Sequence, residues 1–230
     1  MTPPAPDVVR KPAGNGNHPM PRLDTDQPRT TFLVMRHAPT EWNAAGRIQG
    51  QADSCLTSTG QAWATRWGKQ MNPLDLDGIV TSGIGRANAT ARHMNTSLQL
   101  PVTTAEGLRE MNWGQWTGCI HSRIKVEAAQ VYTHQCAQGW HFRPPGGESH
   151  LEVLERALAA LNRIATGHPG QKLLVISHEG VIKGLFYHLA IRDGCGHQPP
   201  RMAPYHVHHV VGAEAQLVLE RMNALNLNPG

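Results

Sequence analysis

Three short apolar runs, each followed by a polar turn and a helix-like segment, are the sequence feature that most constrains the fold. The runs occupy residues 32–35, 78–82 and 173–177. Strands that are apolar along their whole length are typical of a parallel sheet covered on both faces. Alternation of such strands with helices therefore predicts one three-layer α/β/α domain around a mostly parallel central sheet.

Helix signals lie between these runs. Thr57 is a good N-cap, and Ser149 with Glu152 forms a capping box ahead of leucines at helical spacing. The predicted helices cover residues 57–71, 86–98, 120–132, 149–166 and 178–190. Further short strands are predicted within residues 102–108, 205–211 and 215–220. The predicted order of strands and helices again favours the α/β class.

The ends of the chain differ from the rest in composition. Residues 1–30 are rich in Pro, Gly, Asn and Asp and have almost no apolar periodicity, which predicts a flexible N-terminal tail. The folded domain is predicted over residues 31–222, and residues 223–230 are predicted to be a C-terminal tail. No internal repeat or second domain is evident in the pattern.

Composition excludes several classes of protein. The 230 residues are 40% hydrophobic and 17% charged, which suits a globular protein, and the formal net charge of +4 is too diffuse for a nucleic-acid surface. No apolar run approaches the roughly 20 residues of a membrane span. The four scattered cysteines predict free thiols, and the N-terminus lacks the apolar segment of a signal peptide. We therefore expect a cytoplasmic protein without nucleic-acid or membrane partners.

Cationic and imidazole side chains follow the strand ends. Arg36 and His37 leave the first strand, Arg86 opens the helix after the second, and His178 begins the helix after the 173–177 strand. Because parallel strands end at one edge of a sheet, these four side chains are expected to meet there. Guanidinium groups and a helix N-terminus bind phosphate well. The sequence therefore predicts an anion pocket.

Six sequence blocks in this order resemble the histidine phosphatase superfamily, in its cofactor-dependent phosphoglycerate mutase-like branch. The blocks are RHAPTEWN (36–43), LTSTGQA (56–62), SGIGRANATA (82–91), LRE followed by WGQWTG (108–118), PPGGES (144–149) and SHEGVI (177–182). The resemblance covers about residues 31–220 and implies the phosphoglycerate mutase-like fold.

The resemblance also implies a set of site residues. It makes His37 the nucleophile that becomes phosphohistidine, and Glu110 the proton donor to the leaving group. The implied phosphoryl-binding residues are Arg36, Arg86, His178 and Asn43, and the implied substrate-side positions are Gln49, Gly50, Glu179 and Gly180. Phosphoryl transfer needs positioning and nearby cations, and a neutral imidazole is a competent nucleophile near pH 7. The implied chemistry needs neither a metal nor a cofactor, and the expected partner is a small phosphorylated substrate.

Four positions depart from the family pattern. Ala38 and Glu179 stand where the family usually has Gly, Pro39 where it often has Glu or Gln, and Gly83 where it usually has Asp. Ala38 is expected to be strained if its φ is positive. Gly83 removes a potential carboxylate from the start of a helix, and Glu179 places a carboxyl group at the pocket rim.

Aromatic and histidine clusters elsewhere have competing interpretations. Trp113 and Trp116 either wall the substrate pocket or pack their loop, and packing is favoured. His206 and His208 share a strand face but lack a placed third ligand, so a metal site with His209 is not expected.

Three functions remain open at this stage. The segment between Glu110 and Gly146 is shorter than in the family's mutases, which favours phosphomonoester hydrolysis. A 2,3-bisphosphoglycerate-dependent phosphoglycerate mutase is the first alternative. A non-catalytic phosphate-binding module is the second, although the complete set of site residues argues against it. A homodimer stays an open alternative for the assembly.

Overall fold

A six-stranded sheet organises the structure, a computed structural model that describes residues 28–192, 201–213 and 216–228. Its strands are β1 (Thr30–Arg36), β2 (Gly78–Thr81), β3 (Val102–Thr104), β4 (Lys172–Ser177), β5 (His206–Ala213) and β6 (Gln216–Asn226). Their order across the sheet is β3-β2-β4-β1-β5-β6. The first four run parallel, while β5 pairs antiparallel with both β1 and β6. Residues 1–27 of the predicted N-terminal tail lie outside the described residues.

Helices cover both faces of the sheet. They are α1 (Glu41–Ala44), α2 (Ser58–Met71), α3 (Gly85–Leu98), α4 (His121–Glu127), α5 (Ala129–Cys136), α6 (His150–Gly167) and α7 (Glu179–Arg192). Along β1, Phe32 and Val34 join the core under α6 and α7, while Leu33 and Met35 join the core under α2 and α3. The predicted three-layer α/β/α fold is confirmed. No described helix has the length and apolar character required to cross a membrane.

Both predicted N-caps are present. The Thr57 hydroxyl accepts a 2.9 Å hydrogen bond from the Gly60 N–H at the start of α2. At the start of α6, the Ser149 hydroxyl accepts from the Glu152 N–H at 3.2 Å, and the Glu152 carboxylate accepts from the Ser149 N–H at 2.8 Å. These bonds satisfy amide groups that have no partner inside the helix.

The helix predicted over residues 120–132 is divided in two. Ala128 adopts φ −119° and ψ 33°, which are not helical values, so α4 ends there before α5 begins. Ile124 is buried on α4, whereas α5 has no fully buried residue. The apolar spacing was compatible with one helix because a local pattern does not reveal a break that tertiary packing imposes.

The folded domain extends past the predicted boundary at residue 222. Strand β6 continues to Asn226, and Leu227 is fully buried. The carbonyl group of Leu227 accepts a 2.8 Å hydrogen bond from the indole N–H of the equally buried Trp67. A buried indole N–H needs an acceptor, so the end of the chain is part of the core beside α2. The predicted C-terminal tail therefore starts too early.

Candidate active site

The neighbouring ends of β1, β4 and β2 bring the predicted anion-binding residues together. Arg36 is in register with Ser177, so His37 and His178 leave adjacent strands side by side, with ring centroids 5.2 Å apart. From the first turn of α3, the Arg86 Nε–H points to His37 Nε2 at 3.2 Å. The expected meeting of these side chains at one sheet edge is confirmed.

His37 is held as a neutral imidazole with a defined tautomer. Its Nδ1 lies 2.8 Å from the Ala38 carbonyl oxygen, which accepts only, so Nδ1 carries the proton. Nε2 is then unprotonated, and its lone pair accepts the hydrogen bond from the Arg86 Nε–H. Burial lowers the pKa of His37 well below its usual value, and the charges of Arg36 and Arg86 lower it further. Nε2 is therefore available as a nucleophile near neutral pH.

Ala38 fits beside His37 without the strain that a positive φ would cause. Its φ is not positive, its side chain is fully buried, and its N–H donates to the Thr90 hydroxyl at 3.0 Å. Thr90 in turn donates to the Arg86 carbonyl oxygen at 2.8 Å. These two hydrogen bonds connect the loop that carries His37 to α3.

The guanidinium group of Arg86 is fixed by backbone carbonyl groups. It donates to Ala52 O and Gly50 O, both at 2.7 Å, and the side chain is almost completely buried. Gly50 has φ +54°, which suits glycine. The loop that carries Gln49 and Gly50 therefore fixes Arg86, whose Nε–H remains directed at His37.

Asp53 supplies the carboxylate that Gly83 does not. It accepts a 3.0 Å hydrogen bond from the Arg86 N–H in the first turn of α3 and lies 3.7 Å from the Arg86 guanidinium. The residue before α3, Ile84, makes no side-chain cap. A negative charge at a helix N-terminus is favourable, so Asp53 replaces the missing local cap from another loop. Sequence analysis did not identify Asp53, because no spacing rule connects it to α3.

The His178 imidazole places a hydrogen-bond donor beside His37. The Ser82 hydroxyl lies 2.7 Å from His178 Nε2 and accepts from the Ile84 N–H at 3.3 Å. Among the described residues His178 Nε2 is the one acceptor within reach of the Ser82 hydroxyl proton, so we assign that proton to the bond with Nε2 and the imidazole proton to Nδ1. Burial lowers the pKa of His178 well below its usual value, with His37, Arg86 and Arg36 acting in the same direction.

Three of the predicted site residues have buried polar atoms with unused hydrogen-bonding capacity. Within the described ranges, four buried side-chain atoms lack a hydrogen-bond partner, and three of them are Arg36 Nε, His178 Nδ1 and Gln49 Oε1. Buried polar groups are nearly always paired in folded proteins. Two of these atoms are N–H donors beside His37, which matches a tetrahedral oxyanion at this position.

Glu110 is oriented by two backbone N–H groups. Met111 N donates to Oε1 at 2.9 Å, and Gly180 N donates to Oε2 at 3.3 Å. A Cβ atom at position 180 would lie 2.6 Å from Oε1, so a larger residue there would displace the Glu110 carboxylate from this position. Glu110 lines the same cavity as His37. The Glu110 carboxyl group and the His37 imidazole therefore face the same cavity.

Arg156 of α6 clamps the turn that carries Glu110. It donates to the carbonyl groups of Gly107, Arg109 and Glu110 at 2.8, 2.6 and 3.1 Å. It also pairs with both carboxylate oxygens of Glu148 at 3.0 Å. Sequence analysis identified the 144–149 block that contains Glu148 but missed Arg156, which lies outside every block.

Glu179 is at the cavity rim, as its position in the sequence predicted. Its carboxylate lies 2.5 Å from Arg36 and also pairs with Lys183, one turn further along α7. Burial acts to raise the pKa of Glu179, but Arg36 and Lys183 together hold it below its usual value. Glu179 is therefore an anion, and it engages one end of the Arg36 guanidinium.

A cavity of about 540 Å³ opens from His37. Eight of the ten predicted site residues line it: Arg36, His37, Asn43, Gln49, Gly50, Glu110, Glu179 and Gly180. Arg86 and His178 are buried at its base. The amide oxygen of Asn43 accepts from Thr40 in the cap of α1, which leaves its NH₂ group for a ligand.

The aromatic and histidine clusters have separate structural roles. Trp113 lines the cavity, whereas Trp116 is buried in the loop core, so each of the two interpretations applies to one tryptophan. His208 is buried against the Phe186 ring at 4.8 Å, and its Nδ1 accepts from the Asn223 N–H. His208 therefore has a packing role.

Acid is expected to destabilise the fold through His37 and His178. Their folded pKa values lie well below the unfolded value of about 6.5, so the unfolded state binds more protons as the pH falls through that window. The contribution of these histidines to the free energy of unfolding is fully present above pH 6.5. Below that pH it decreases, by up to about 1.4 kcal/mol per pH unit for each histidine. Denaturant unfolding between pH 7.5 and 5.5 measures the slope.

The matched variants for this measurement are His178→Gln and His134→Gln. The first removes a buried histidine and should reduce the number of protons taken up on unfolding by as much as one. The second removes an exposed histidine on α5 and should leave the slope unchanged. An unchanged slope in His178→Gln would contradict the burial argument.

Comparison with known proteins gives one family. The sequence profile of the histidine phosphatase superfamily (branch 1) matches residues 32–225. A metal-independent phosphoserine phosphatase of Arabidopsis thaliana is 31% identical over 173 residues, which are 73% of this chain and 71% of that protein. Phosphoglycerate mutase-like protein 4 of the same plant is 31% identical over 160 residues, covering 67% and 69% of the two chains.

The solved structures agree with this family. A mycobacterial glucosyl-3-phosphoglycerate phosphatase, in a structure with VO3, superposes with a TM-score of 0.71 at 25% identity, covering 86% of this chain and all of that one. The profile match spans the strand that ends beside His37, the Glu110 turn and the strand that ends beside His178. The chain belongs to the histidine phosphatase superfamily.

Proposed function

We propose that the chain hydrolyses phosphomonoesters of small metabolites through a phosphohistidine formed at His37. One observation carries the proposal: the unprotonated Nε2 of a buried, neutral imidazole faces the Arg86 guanidinium, beside the unpaired Arg36 Nε–H and His178 Nδ1–H. Phosphoryl transfer requires positioning and charge stabilisation more than covalent chemistry from the protein. The same constellation offers a nucleophile and three donors for the phosphoryl oxygens.

The first half-reaction transfers the phosphoryl group to His37. Nε2 attacks phosphorus, the bond from phosphorus to the ester oxygen breaks, and the departing oxygen takes a proton from the Glu110 carboxyl group. Bound phosphate dianion favours the protonated form of a neighbouring carboxyl group, which suits this role. As the new bond forms, the Arg86 Nε–H that now meets Nε2 is directed at a phosphoryl oxygen instead.

The second half-reaction returns the enzyme to its starting state. The Glu110 carboxylate takes a proton from water, the oxygen attacks phosphorus, and the bond between phosphorus and Nε2 breaks. Inorganic phosphate leaves, and the imidazole is neutral again. The hydrogen bond from His37 Nδ1 to the Ala38 carbonyl oxygen holds one tautomer and one ring orientation throughout.

The named relatives support a hydrolase while leaving the mutase alternative in place. Two of the three similar proteins are called phosphatases, with phosphoserine and glucosyl-3-phosphoglycerate in their names, and the third is called mutase-like. A hydrolase and a mutase share the phosphohistidine and differ in the acceptor of its phosphoryl group. The acceptor therefore decides between the two functions.

Product analysis is expected to show hydrolysis. Each turnover of a phosphomonoester should release one alcohol and one inorganic phosphate, and 2,3-bisphosphoglycerate should not stimulate conversion of 3-phosphoglycerate. Chromatography of the products with and without the bisphosphate makes the measurement. Formation of 2-phosphoglycerate that depends on the bisphosphate would establish the mutase. Tight vanadate binding without turnover of any ester would establish a binding module.

A further inference from the structure

Side chains from distant parts of the chain hold the Glu110 turn, residues 107–112, in place. The four successive carbonyl groups of residues 107–110 each accept a hydrogen bond from a side chain. Arg156 of α6 donates to three of them, and the Ser177 hydroxyl at the end of β4 donates to the fourth at 2.8 Å. Because carbonyl groups outside regular helices and strands need other donors, these side chains determine the shape of the turn.

Glu148 fixes the guanidinium group of Arg156 and binds the far end of the same turn. Its two carboxylate oxygens pair with Arg156, and a planar guanidinium held at two points has one orientation. Glu148 Oε2 also accepts from the Asn112 N–H at 2.7 Å, and the Glu148 N–H donates to the Asn112 carbonyl oxygen at 2.9 Å. The Arg156–Glu148 pair therefore holds the backbone on both sides of Glu110.

The Glu110 turn lies directly against α6. A Cβ atom at Gly107 would be 2.6 Å from the Arg156 carbonyl oxygen and 2.8 Å from the Ala160 side chain, so the two backbones are in close contact. The Glu110 carboxylate accepts from the Met111 N–H inside the turn and from the Gly180 N–H outside it. A shift of the turn relative to α6 would therefore move the carboxyl group away from the Gly180 N–H.

The contacts of the pair separate the Glu110 carboxyl group from the phosphoryl-binding groups. Neither Arg156 nor Glu148 lines the cavity. Arg86 is fixed by the carbonyl groups of Gly50 and Ala52 at 2.7 Å, and these bonds do not involve the pair. Any effect of Arg156 on the reaction is thus expected to pass through the turn to Glu110.

Resting on the proposed function, in which Glu110 protonates the leaving group, we infer that Arg156 is the positioning residue for that proton transfer. A general acid must lie within hydrogen-bond reach of the departing oxygen, and a displacement of about 1 Å can cost on the order of 100-fold in rate. Arg156, fixed by Glu148, keeps the Glu110 carboxyl group within that reach. Loss of its planar fork impairs protonation of the leaving group and leaves phosphoryl binding intact.

Arg156→Lys tests the inference with two esters. Lysine keeps the positive charge but lacks the planar fork that reaches three carbonyl groups. We expect kcat/KM to fall by about 10 to 100-fold for 2-phenylethyl phosphate and by less than about 3-fold for p-nitrophenyl phosphate, whose phenolate leaves without a proton. Inhibition by vanadate should be unchanged. Arg163→Lys, an exposed substitution on the same helix, should alter neither ester.

A double-mutant cycle shows whether Arg156 acts through Glu110. In a Glu110→Gln background, Arg156→Lys should lower kcat/KM for 2-phenylethyl phosphate by less than about 3-fold more, because two residues that serve one step have non-additive effects. Glu148→Gln weakens the same pair and keeps the size of the side chain. It should reproduce the dependence on the leaving group to a smaller degree, and it replaces Arg156→Lys if that variant does not fold.

The outcomes separate this inference from the proposed function. Equal losses for the two esters, weaker vanadate inhibition, or a full additional loss in the Glu110→Gln background would overturn the positioning role alone. If Glu110→Gln itself lowers kcat/KM equally for both esters, Glu110 is not the general acid. The proposed mechanism and the inference would then both fail.

Discussion

His37→Ala is expected to lower kcat/KM for every phosphomonoester by on the order of 10⁴-fold or more. The substitution removes the only atom that the mechanism uses to attack phosphorus. The remaining donors, on Arg36, Arg86 and His178, would still bind the phosphoryl group, so substrate affinity should change far less than kcat. Steady-state kinetics together with vanadate inhibition separate the two effects.

The phosphoenzyme gives a second measurement of the same prediction. Wild-type protein, quenched within its first turnovers of a labelled ester, should carry phosphate that acid releases and alkali does not. His37→Ala should carry none. His134→Ala, which removes an exposed histidine of α5, should match the wild type in both activity and labelling. Substantial turnover with an acid-labile phosphoenzyme in His37→Ala would show that another residue is the nucleophile.

The fold was largely predictable because its elements have strong local signals. Continuous apolar strands and capped helices depend on neighbouring residues, as Thr57 and Ser149 illustrate. The break at Ala128 and the burial of Leu227 depend on contacts across the fold instead. The Trp67 indole that holds Leu227 lies 160 residues earlier in the chain, so no window of sequence connects the two.

Some residues of the candidate site could likewise be placed from the sequence, and others could not. Arg36, His37, Arg86 and His178 could be placed together from the sequence, since each follows a strand of one parallel sheet. Asp53 could not, because its role at α3 arises only when the preceding loop folds across the helix. The residues before α3, Gly83 and Ile84, supply no side-chain cap. That missing cap was the only available sign in the sequence that another residue had to supply one.

Long-range packing also explains why Arg156 and most of the aromatic lining of the cavity were not identified from the sequence. Arg156 reaches carbonyl groups 46 to 49 residues away, and carbonyl groups carry no sequence identity. Trp113 comes from the 113–118 loop, Tyr132 from α5, Phe142 from the segment after residues 139–141, and Tyr187 from α7, and these aromatic side chains come together only around the cavity. The lining of the cavity therefore depends on contacts that motif spacing does not encode.

Glu110→Gln is expected to produce a loss of activity that depends on the leaving group. Glutamine has the size of glutamate but cannot transfer a proton. For 2-phenylethyl phosphate, whose alkoxide leaves poorly without protonation, kcat/KM should fall by about 10² to 10⁴-fold. For p-nitrophenyl phosphate, whose phenolate leaves readily as an anion, kcat/KM should fall by less than about 10-fold, because kcat/KM reports only the steps up to phosphorylation of the enzyme.

The second half-reaction adds a transient that loss of the general base should enlarge. Without the Glu110 carboxylate to deprotonate water, the phosphohistidine should accumulate, and stopped-flow traces should show a burst of p-nitrophenolate that approaches one per site. Glu106→Gln, an exposed substitution in the same turn, should show neither effect. Equal losses for both esters without a burst would mean that Glu110 only shapes the cavity, and the acid and base would then have to lie elsewhere.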